Sequence, residues 1–433
     1  MLGVGPLKGP DMLATGLTGH GPSAALGPDD RVGLCLTDAG TLIAALVALD
    51  GAVEAVLLLS RALAVPDALA LAADATVLVT DRPDLAAAAR AAGLPCLTLD
   101  AAIGGTVPHV TVRTRWLMTT SGTTGLPKIV PHTLASLART VSRALAAPPP
   151  RWGLLYDPTR FAGMQVVLQA LIGGGTLIAP DTAYTPLADQ VATLVRHGCT
   201  HLSATPTLWR RLLMVPGVSD LPLVQVTLGG ETVDQAILDA LAQTFPTARR
   251  THIYASTEAG VGFSVKDGRA GFPAAWLDRP PAGVMMKLHK GTLWLRPPQA
   301  APATATDAEG FIDSGDLIEV EADRAHFLGR ASGLINVGGT KVYPEVVEAV
   351  VRAVPGVRLV RVTAKRSPIT GALVMAEVLA DEGADPAALK PAILAACRAA
   401  LPREAVPGVV RLVDDMGLNA AGKLVRRSEG DGA

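Results

Sequence analysis

Residues 119–128 read Thr-Thr-Ser-Gly-Thr-Thr-Gly-Leu-Pro-Lys, and they directly follow the apolar run Trp116-Leu117-Met118. The glycines allow the backbone to turn tightly and to direct N–H groups towards an anion. The hydroxyl groups can donate hydrogen bonds to phosphate oxygens, and Lys128 adds a positive charge. No Gly-Lys-Ser/Thr follows at the spacing of a Walker A loop, which disfavours a P-loop kinase or ATPase. The stretch therefore predicts a phosphate-binding loop, with an ordinary polar loop between strand and helix as the alternative.

Short apolar runs alternate with Ala-rich stretches on both sides of this loop. Runs typical of buried strands are Arg31–Leu36, Ala55–Leu59, Ala75–Thr80, Gly174–Ile178, His201–Ala204 and Leu223–Leu228. Stretches typical of helices lie at Thr41–Asp50, Asp84–Ala92, Met164–Leu171, Pro186–Arg196 and Val233–Phe245. This alternation predicts an α/β fold in which sheets with parallel strands are covered by packed helices.

The pattern changes after Phe327, where the segment Leu328–Val342 is rich in glycine. Beyond it the order is helix, strand, strand, helix, strand, at Pro344–Ala353, Val357–Ala364, Leu373–Leu379, Pro386–Leu401 and Val409–Val413. This order predicts a compact α+β unit of its own. We therefore expect a large N-terminal domain at residues 1–329 and a small C-terminal domain at residues 330–433.

The overall composition argues against several classes of protein. Hydrophobic residues make up 49% of the 433 residues and the formal net charge is -1, so no field favours nucleic acid or an anionic membrane. The most apolar stretch, Leu42–Leu59, is interrupted by Asp50 and Glu54, which disfavours a membrane span. The four cysteines form no C-x-x-C pair and predict buried thiols in a reducing compartment. No signal-peptide pattern opens the chain, and we expect a cytoplasmic protein.

Six further motifs follow the loop along the chain. They are Gly229-Gly230-Glu231, Tyr254-Ala255-Ser256-Thr257-Glu258, Gly291–Arg296, Asp313-Ser314-Gly315-Asp316, the stretch from Gly329-Arg330 through Gly338-Gly339 to Glu348, and Asn419–Lys423. In this order they resemble the motifs of the adenylate-forming superfamily, which comprises acyl- and aryl-CoA synthetases, nonribosomal peptide adenylation domains and luciferases. The resemblance covers the chain from about Trp116 to Arg427 and is to a shortened member of that superfamily.

The resemblance implies that the chain uses ATP to convert a carboxylic acid into an acyl-adenylate and then passes the acyl group on. Tyr254 would stack on adenine, and Asp316 would accept hydrogen bonds from the ribose hydroxyls. The full set of residues that would bind ATP or AMP is Thr120, Ser121, Gly122, Thr123, Thr124, Gly125, Lys128, Gly229, Gly230, Glu231, Tyr254, Asp316 and Arg330.

Three residues would carry the chemistry that the resemblance implies. Glu258 would ligate the Mg²⁺ that the leaving pyrophosphate needs, and Thr257 would donate to the α-phosphate. Lys423 would place a positive charge between the substrate carboxylate and the α-phosphate, where it offsets their repulsion. Without the resemblance, Glu258 would be interpreted as a solvated loop residue and Lys423 as a solvated residue of a C-terminal tail.

Four residues are predicted to line the acid pocket: Arg160, Phe161, Gly163 and Gly260. Arg160 or Phe161 falls where the family often has an aromatic residue or a histidine that gates the pocket. Arg160 could pair with a polar or anionic group on the acid, and a surface arginine is the alternative. Together with the shortened chain, Arg160 favours a small, polar or aromatic acid over a long fatty acid.

In this family the small domain rotates about a hinge and opens a tunnel for a thiol. The hinge position, often Asp, is Ser332 here, and Gly338 and Gly339 would line the tunnel because glycine permits close approach of a pantetheine arm. CoA is the first-choice acceptor, a carrier-protein phosphopantetheine arm the second, and an amine the third. A degenerate relative that binds a nucleotide without turnover is the competing class, and the presence of the expected charged residues argues against it.

Overall fold

The computed structural model describes residues 12–15, 26–102, 112–120, 127–141, 148–182, 184–281, 283–297, 305–367 and 371–416. The helices are α1 Ala39–Leu49, α2 Val65–Leu71, α3 Pro83–Ala91, α4 Leu99–Ala102, α5 Leu134–Leu137, α6 Phe161–Leu171, α7 Leu187–Arg196, α8 Pro206–Leu213, α9 Gln235–Thr244, α10 Pro344–Arg352 and α11 Pro386–Ala400. The strands are β1 Met12–Thr15, β2 Arg31–Cys35, β3 Ala55–Leu58, β4 Val77–Thr80, β5 Cys96–Leu97, β6 Arg115–Thr119, β7 Ile129–His132, β8 Arg151–Leu154, β9 Thr176–Ala179, β10 His201–Ala204, β11 Gln225–Gly229, β12 Arg249–Ser256, β13 Gly260–Val265, β14 Phe272–Pro273, β15 Met285–His289, β16 Thr292–Arg296, β17 Ile312–Glu321, β18 Arg324–Arg330, β19 Ile335–Val337, β20 Thr340–Val342, β21 Val357–Ser367, β22 Gly371–Ala380 and β23 Val409–Leu412.

Two largely parallel sheets form the first part of the fold. One has the strand order β5-β4-β2-β3-β6-β7 and is parallel except at the edge strand β7. The other has the order β1-β9-β8-β10-β11-β12-β13, with antiparallel strands only at its two edges. Helices connect and cover these strands, which confirms the predicted α/β class. Ligands of such sheets bind beyond the carboxyl ends of the parallel strands, so the ends of β6, β8, β11 and β12 are where a site is expected.

Local sequence features explain where these elements begin and how they are buried. β2 is apolar after Arg31, and its other four residues are buried. α1 begins after Asp38, whose carboxylate accepts a hydrogen bond from the N–H of Thr41 at 2.7 Å. The apolar stretch Leu42–Leu59 is divided between α1 and β3, both of which belong to the core. Across the described ranges, no helix combines the length and the apolar character needed to cross a membrane.

A third, antiparallel sheet follows, with the order β14-β18-β17-β16-β15. Of its strands, only β16 was expected, from the resemblance of Gly291–Arg296 to a strand motif of the superfamily. Aromatic packing joins this sheet to the seven-stranded one: the ring centroids of Phe263 and Phe272 are 5.0 Å apart. Because β17 and β18 cross this junction, they bring Asp316 and Arg330 next to β12.

The chain after Arg330 forms the predicted small α+β unit. β21, β22 and β23 make a sheet on which α10 and α11 pack, with Val347, Val360 and Ile393 in the shared core. The β19–β20 hairpin within the Gly-rich segment was not predicted as strands. The domain division at residue 330 stays a proposal, and it coincides with the end of β18.

Candidate active site

Backbone pairing closes the predicted phosphate-binding loop at its base. β6 and β7 are antiparallel neighbours, with Thr119 opposite Ile129. The N–H of Thr120 donates to the carbonyl of Lys128 at 2.9 Å, and the N–H of Lys128 donates to Thr120 Oγ1 at 3.3 Å. The side chain of Lys128 is exposed. The remaining predicted loop residues lie outside the described residues, so their role stays a prediction: Ser121, Gly122, Thr123, Thr124 and Gly125.

Arg160 reaches the start of this loop from the other sheet. It occupies the N-cap position of α6, beyond the carboxyl end of β8, without a side-chain capping bond. Its Nη1 instead donates to the carbonyl and hydroxyl oxygens of Thr119 at 2.9 and 2.8 Å. Its Nε is buried and has no hydrogen-bond acceptor within the described residues. Burial lowers the pKa of the Arg160 guanidinium, and the charge of Asp157 opposes that shift. A guanidinium in this place can brace the loop or meet a polar group on a substrate.

His132 connects the loop to a third segment and was missed in the sequence. It ends β7, and its Nε2 lies 2.8 Å from the carbonyl oxygen of Thr257. The ring is buried, and its centroid is 5.9 Å from that of the predicted pocket residue Phe161. Burial lowers the pKa of His132, which favours the neutral imidazole. A histidine four residues after Lys128 is a weak signal by itself, because an isolated histidine at a strand end is usually a core residue.

Glu258 follows Thr257 in the turn between β12 and β13. Among the described residues its carboxylate has no hydrogen-bond or ion-pair partner, and its charge acts on the nearby His132. Mg²⁺ in ATP sites is held by one or two carboxylates together with phosphate oxygens. Within the described ranges no group of three or more His, Cys, Asp or Glu side chains could hold a metal ion. A single carboxylate at Glu258, near His132, therefore fits Mg²⁺ only if substrate phosphates supply further ligands.

Three predicted nucleotide-binding residues meet next to the carboxyl end of β12. The hydroxyl of Tyr254 donates a short hydrogen bond to Asp316 Oδ2, and Arg330 Nε lies 3.2 Å from Asp316 Oδ1. Arg330 Nη2 also donates to the carbonyl of Ser314 at 2.6 Å. Burial and the charge of Asp316 raise the pKa of Tyr254 well above its ordinary value, so the hydroxyl stays protonated and donates.

The ring of Tyr254 belongs to an aromatic cluster. It stacks with Phe263 and Phe327, at centroid separations of 5.2 and 5.1 Å and interplanar angles of 14° and 11°. These contacts leave the hydroxyl of Tyr254, and not a face of its ring, in contact with Asp316. The predicted stacking of Tyr254 on adenine stays a prediction.

The turn Gly229-Gly230-Glu231 lies beside this group at the carboxyl end of β11. Gly229 is opposite Ile253 of β12, and Gly230 has a φ of 83°, in the region that favours glycine. The carboxylate of Glu231 accepts a hydrogen bond from the N–H of Thr207 at 2.9 Å, near the start of α8. This contact ties the turn to α8, and a role of the three residues in nucleotide binding stays a prediction.

The two predicted pocket glycines stand where the backbone is crowded or left-handed. A Cβ on Gly163 would lie 2.1 Å from the carbonyl oxygen of Asp157, so any other residue would displace the turn that leads to Arg160. Gly260 begins β13 opposite Ser256 and has a φ of 70°. Both glycines therefore shape the site through the backbone, and their contact with an acid stays a prediction.

The predicted thiol-tunnel and hinge residues lie in and before the β19–β20 hairpin. Gly338 and Gly339 form its two-residue turn with φ values of 58° and 94°, as a type I′ turn requires. The N–H of Gly339 donates to Asn336 Oδ1 at 2.9 Å. Ser332 lies in a short 3-10 turn directly after β18. Lys423 lies outside the described residues, so its catalytic role stays a prediction.

These contacts join the Arg160 segment to the loop base at the carboxyl end of β6, and they join the Thr257–Glu258 turn, at the carboxyl end of β12, to His132 at the other end of β7. The two largely parallel sheets, followed by an antiparallel sheet and a small α+β unit, define an adenylate-forming enzyme. The chain belongs to the AMP-binding enzyme family: the family model matches residues 11–301, and that of the family's C-terminal domain matches residues 346–423.

Individual relatives are more distant. The 2-succinylbenzoate–CoA ligase of Listeria innocua is 26% identical over 338 residues, which are 72% of this chain and 69% of that protein. The structure of the anthranilate CoA ligase AuaEII in complex with anthranoyl-AMP superposes with a TM-score of 0.77 at 17% identity, covering 93% of this chain and 87% of the other. The amide bond synthetase McbA of Marinactinospora thermotolerans gives a TM-score of 0.74 at 21% identity, covering 92% and 89%. At these identities the structural matches show the shared fold.

Proposed function

We propose that this chain is an ATP-dependent acid–thiol ligase that makes an acyl-adenylate and then an acyl-CoA. The observation that supports this most is the linkage of three segments: Arg160 joins α6 to Thr119, and His132 joins β7 to Thr257. ATP phosphates over the loop would then lie beside an acid held near Arg160. The family membership and the relatives named as CoA ligases support the same reaction.

The reaction has two balanced steps. A carboxylate oxygen of the acid attacks the α-phosphorus of ATP, the bond between the α-phosphorus and the bridging oxygen breaks, and pyrophosphate leaves. The sulfur of CoA then attacks the carbonyl carbon, AMP leaves with the acid's oxygen, and the thiol proton passes to solvent. Mg²⁺ bound with ATP would neutralise charge on the leaving pyrophosphate.

The chain's own residues would bind and orient the reactants. Lys128 and the loop hydroxyls would hold phosphate oxygens, and the Asp316–Arg330 pair would hold the ribose. Glu258 would ligate Mg²⁺. Lys423 would place its charge between carboxylate and α-phosphate, from a small domain that rotates about Ser332 between the two steps.

The acid would be small and polar or aromatic, because a partly buried cation at Arg160 is unsuited to a long alkyl chain. CoA is the proposed acceptor, and a carrier-protein phosphopantetheine arm or an amine is the alternative to be distinguished by experiment. The same products of the first step are expected with all three acceptors.

Pyrophosphate release measured across aryl, short-chain, amino and fatty acids tests the proposal. We expect acid-dependent release with a small polar or aromatic acid, and formation of a thioester when CoA is added. Lys423→Ala should reduce release by about 10²–10³-fold, because one transition-state charge is lost. A protein that binds ATP but releases no pyrophosphate with any acid would instead be a nucleotide-binding relative.

A further inference from the structure

His132 is held in one orientation between two segments of the candidate active site. Only 4% of its surface is exposed. Its Nε2 lies 2.8 Å from the carbonyl oxygen of Thr257, and because that oxygen only accepts, Nε2 carries the proton. Its Nδ1 is 3.4 Å from Ser136 Oγ, and the ring face lies near Phe161. The imidazole therefore acts as a fixed donor to the Thr257 carbonyl.

One end of this link is the phosphate loop. His132 is the last residue of β7, whose first residue, Ile129, is opposite Thr119. The two hydrogen bonds between Thr120 and Lys128 close the loop just beyond that pair. β7 is only four residues long and is the edge strand of its sheet. His132 itself lies opposite Trp116, so a shift of the imidazole would reach the residues that flank the loop along the three preceding residues of β7.

The other end is the turn that carries Thr257 and Glu258. The register of the β12–β13 ladder shifts directly after Tyr254, so regular pairing is interrupted where the turn begins. Inside the turn, the N–H of Ala259 donates to Ser256 Oγ at 3.0 Å. The carbonyl of Thr257 accepts a hydrogen bond from the imidazole. An outside contact is thus needed to fix the turn relative to the loop.

We propose that His132 is a positioning residue for adenylation: its Nε2–H holds the Thr257–Glu258 turn in place against β7, the strand that follows the loop base at Lys128. The inference rests on the proposed function, since it assigns Glu258 to Mg²⁺ bound with ATP. The imidazole touches no reacting atom and acts through the turn. Removing a group that orients a metal ligand typically changes metal affinity or activity by about 10–100-fold.

His132→Leu and His132→Gln separate the hydrogen bond from the shape of the ring. The amide nitrogen of Gln can reach the Thr257 carbonyl, whereas Leu fills a similar volume without a donor. We expect His132→Leu to weaken MgATP binding about 10–100-fold in a calorimetric titration without acid, and to raise the KM for MgATP equally. The KM for the acid should change little, and His132→Gln should recover most of the loss.

His201→Leu is the matched control. His201 is half-buried, its ring centroid lies 4.8 Å from that of Trp152, and it is the first residue of β10, at the amino ends of the parallel strands and away from the site. It should bind MgATP like the parent, and thermal unfolding should show that all variants are folded. If His132→Leu fails to fold, His132→Asn replaces it, because its shorter amide cannot reach Thr257.

Two results would overturn the proposal. One is that His132→Leu binds MgATP with the affinity and KM of the parent. The other is that His132→Leu and His132→Gln lose MgATP affinity equally. Failure of the proposed function would give a different result from failure of the proposed role of His132. A parent protein that binds MgATP and activates no acid would refute the ligase assignment, while the comparison of MgATP affinities would still decide the role of His132.

Discussion

Position 160 carries a partly buried cation whose donors are only partly used. Nη1 is engaged by Thr119, whereas Nε is buried without an acceptor among the described residues. A buried donor without a partner is costly, so a polar or anionic group on the acid would stabilise this arrangement. The contact of Arg160 with Thr119 would affect the binding of ATP, whereas a contact with the acid would affect the selectivity among acids. Kinetic measurements can therefore separate the two roles.

Arg160→Leu should weaken use of the preferred acid and relax selectivity towards apolar analogues. A hydrogen bond to a charged group contributes about 1.5–3 kcal/mol, so the ratio of specificity constants for polar and apolar acids should fall about tenfold or more. Thr119→Val is the control, because it removes the Oγ1 acceptor and keeps the guanidinium. If kcat/KM measurements show the parent's acid preference in Arg160→Leu, the arginine only braces the loop.

At the scale of elements, most parallel strands could be predicted from the sequence, whereas β5, β8, β12 and most antiparallel strands could not. A strand buried on both faces is a continuous apolar run, as in Val77–Thr80, all of which is buried. Ile312–Glu321 forms a strand as well, but it contains four acidic residues and only two buried ones, so no apolar period marks it. The antiparallel sheet is stabilised by tertiary contacts that local sequence does not report.

In the candidate site, too, some contacts could be predicted from the sequence and others could not. Motif order placed Tyr254, Asp316 and Arg330 in one predicted group, and the structure brings them into contact. The bonds from His132 to Thr257 and from Arg160 to Thr119 could not be predicted, because they join segments 125 and 41 residues apart. Contacts of that kind depend on how the two sheets are placed against each other.

The β19–β20 hairpin is predicted to serve only the second half-reaction. Gly338→Trp should block thioester formation and spare acyl-adenylate formation, because its bulk would fill the thiol tunnel at the hairpin turn. Gly338→Ala is the matched control: it introduces the same strain at a φ of 58° without the bulk. The two half-reactions are measured separately, as pyrophosphate release without CoA and thioester formation with it. Equal losses in both would place the hairpin in the first-step site or in the fold.

At the scale of the molecule, one group of charges joins the large domain to the small one. Asp234 pairs with Arg210 of α8 and, at 2.9 Å, with Arg352 of α10, which the proposed division assigns to the small domain. Asp234 Oδ1 also caps α9 by accepting from the N–H of Ile237 at 3.0 Å. Burial alone would raise the pKa of Asp234, but the two guanidiniums more than offset this and lower it. The pairing therefore stabilises the observed contact between the two parts of the chain.

Asp234→Asn should lower the free energy of unfolding at pH 7 by about 2 kcal/mol. Asn keeps the cap but removes the carboxylate that Arg210 and Arg352 share, and Arg352 keeps a second carboxylate, Glu348, at 4.0 Å. Because the three side chains also retain 14–25% exposure, the loss stays below the ~3–5 kcal/mol of a fully buried pair. A lowered folded-state pKa contributes stability above the ordinary value of 3.8, and that contribution is lost as the pH falls through the lowered value. In urea unfolding, the difference between parent and variant should therefore be constant near neutral pH and shrink as the pH approaches 3.8 and falls below it.

Asp239→Asn is the control for this charge group, because Asp239 is exposed on the same helix and bonds only to Gln235 among the described residues. It should unfold like the parent at every pH. Equal stability of Asp234→Asn and the parent at pH 7 would show that the charge group does not stabilise the molecule.

The central claim is that the acid's carboxylate attacks the α-phosphorus of ATP, and the fate of the carboxylate oxygen tests it most directly. The acid that gives the strongest pyrophosphate release is labelled with oxygen-18 in its carboxylate and incubated with ATP, Mg²⁺, CoA and the enzyme. Mass spectrometry of the products should find the label in the phosphate of AMP and none in inorganic phosphate. ADP as the product, with the label in inorganic phosphate, would mean attack on the γ-phosphorus and would contradict the adenylate mechanism.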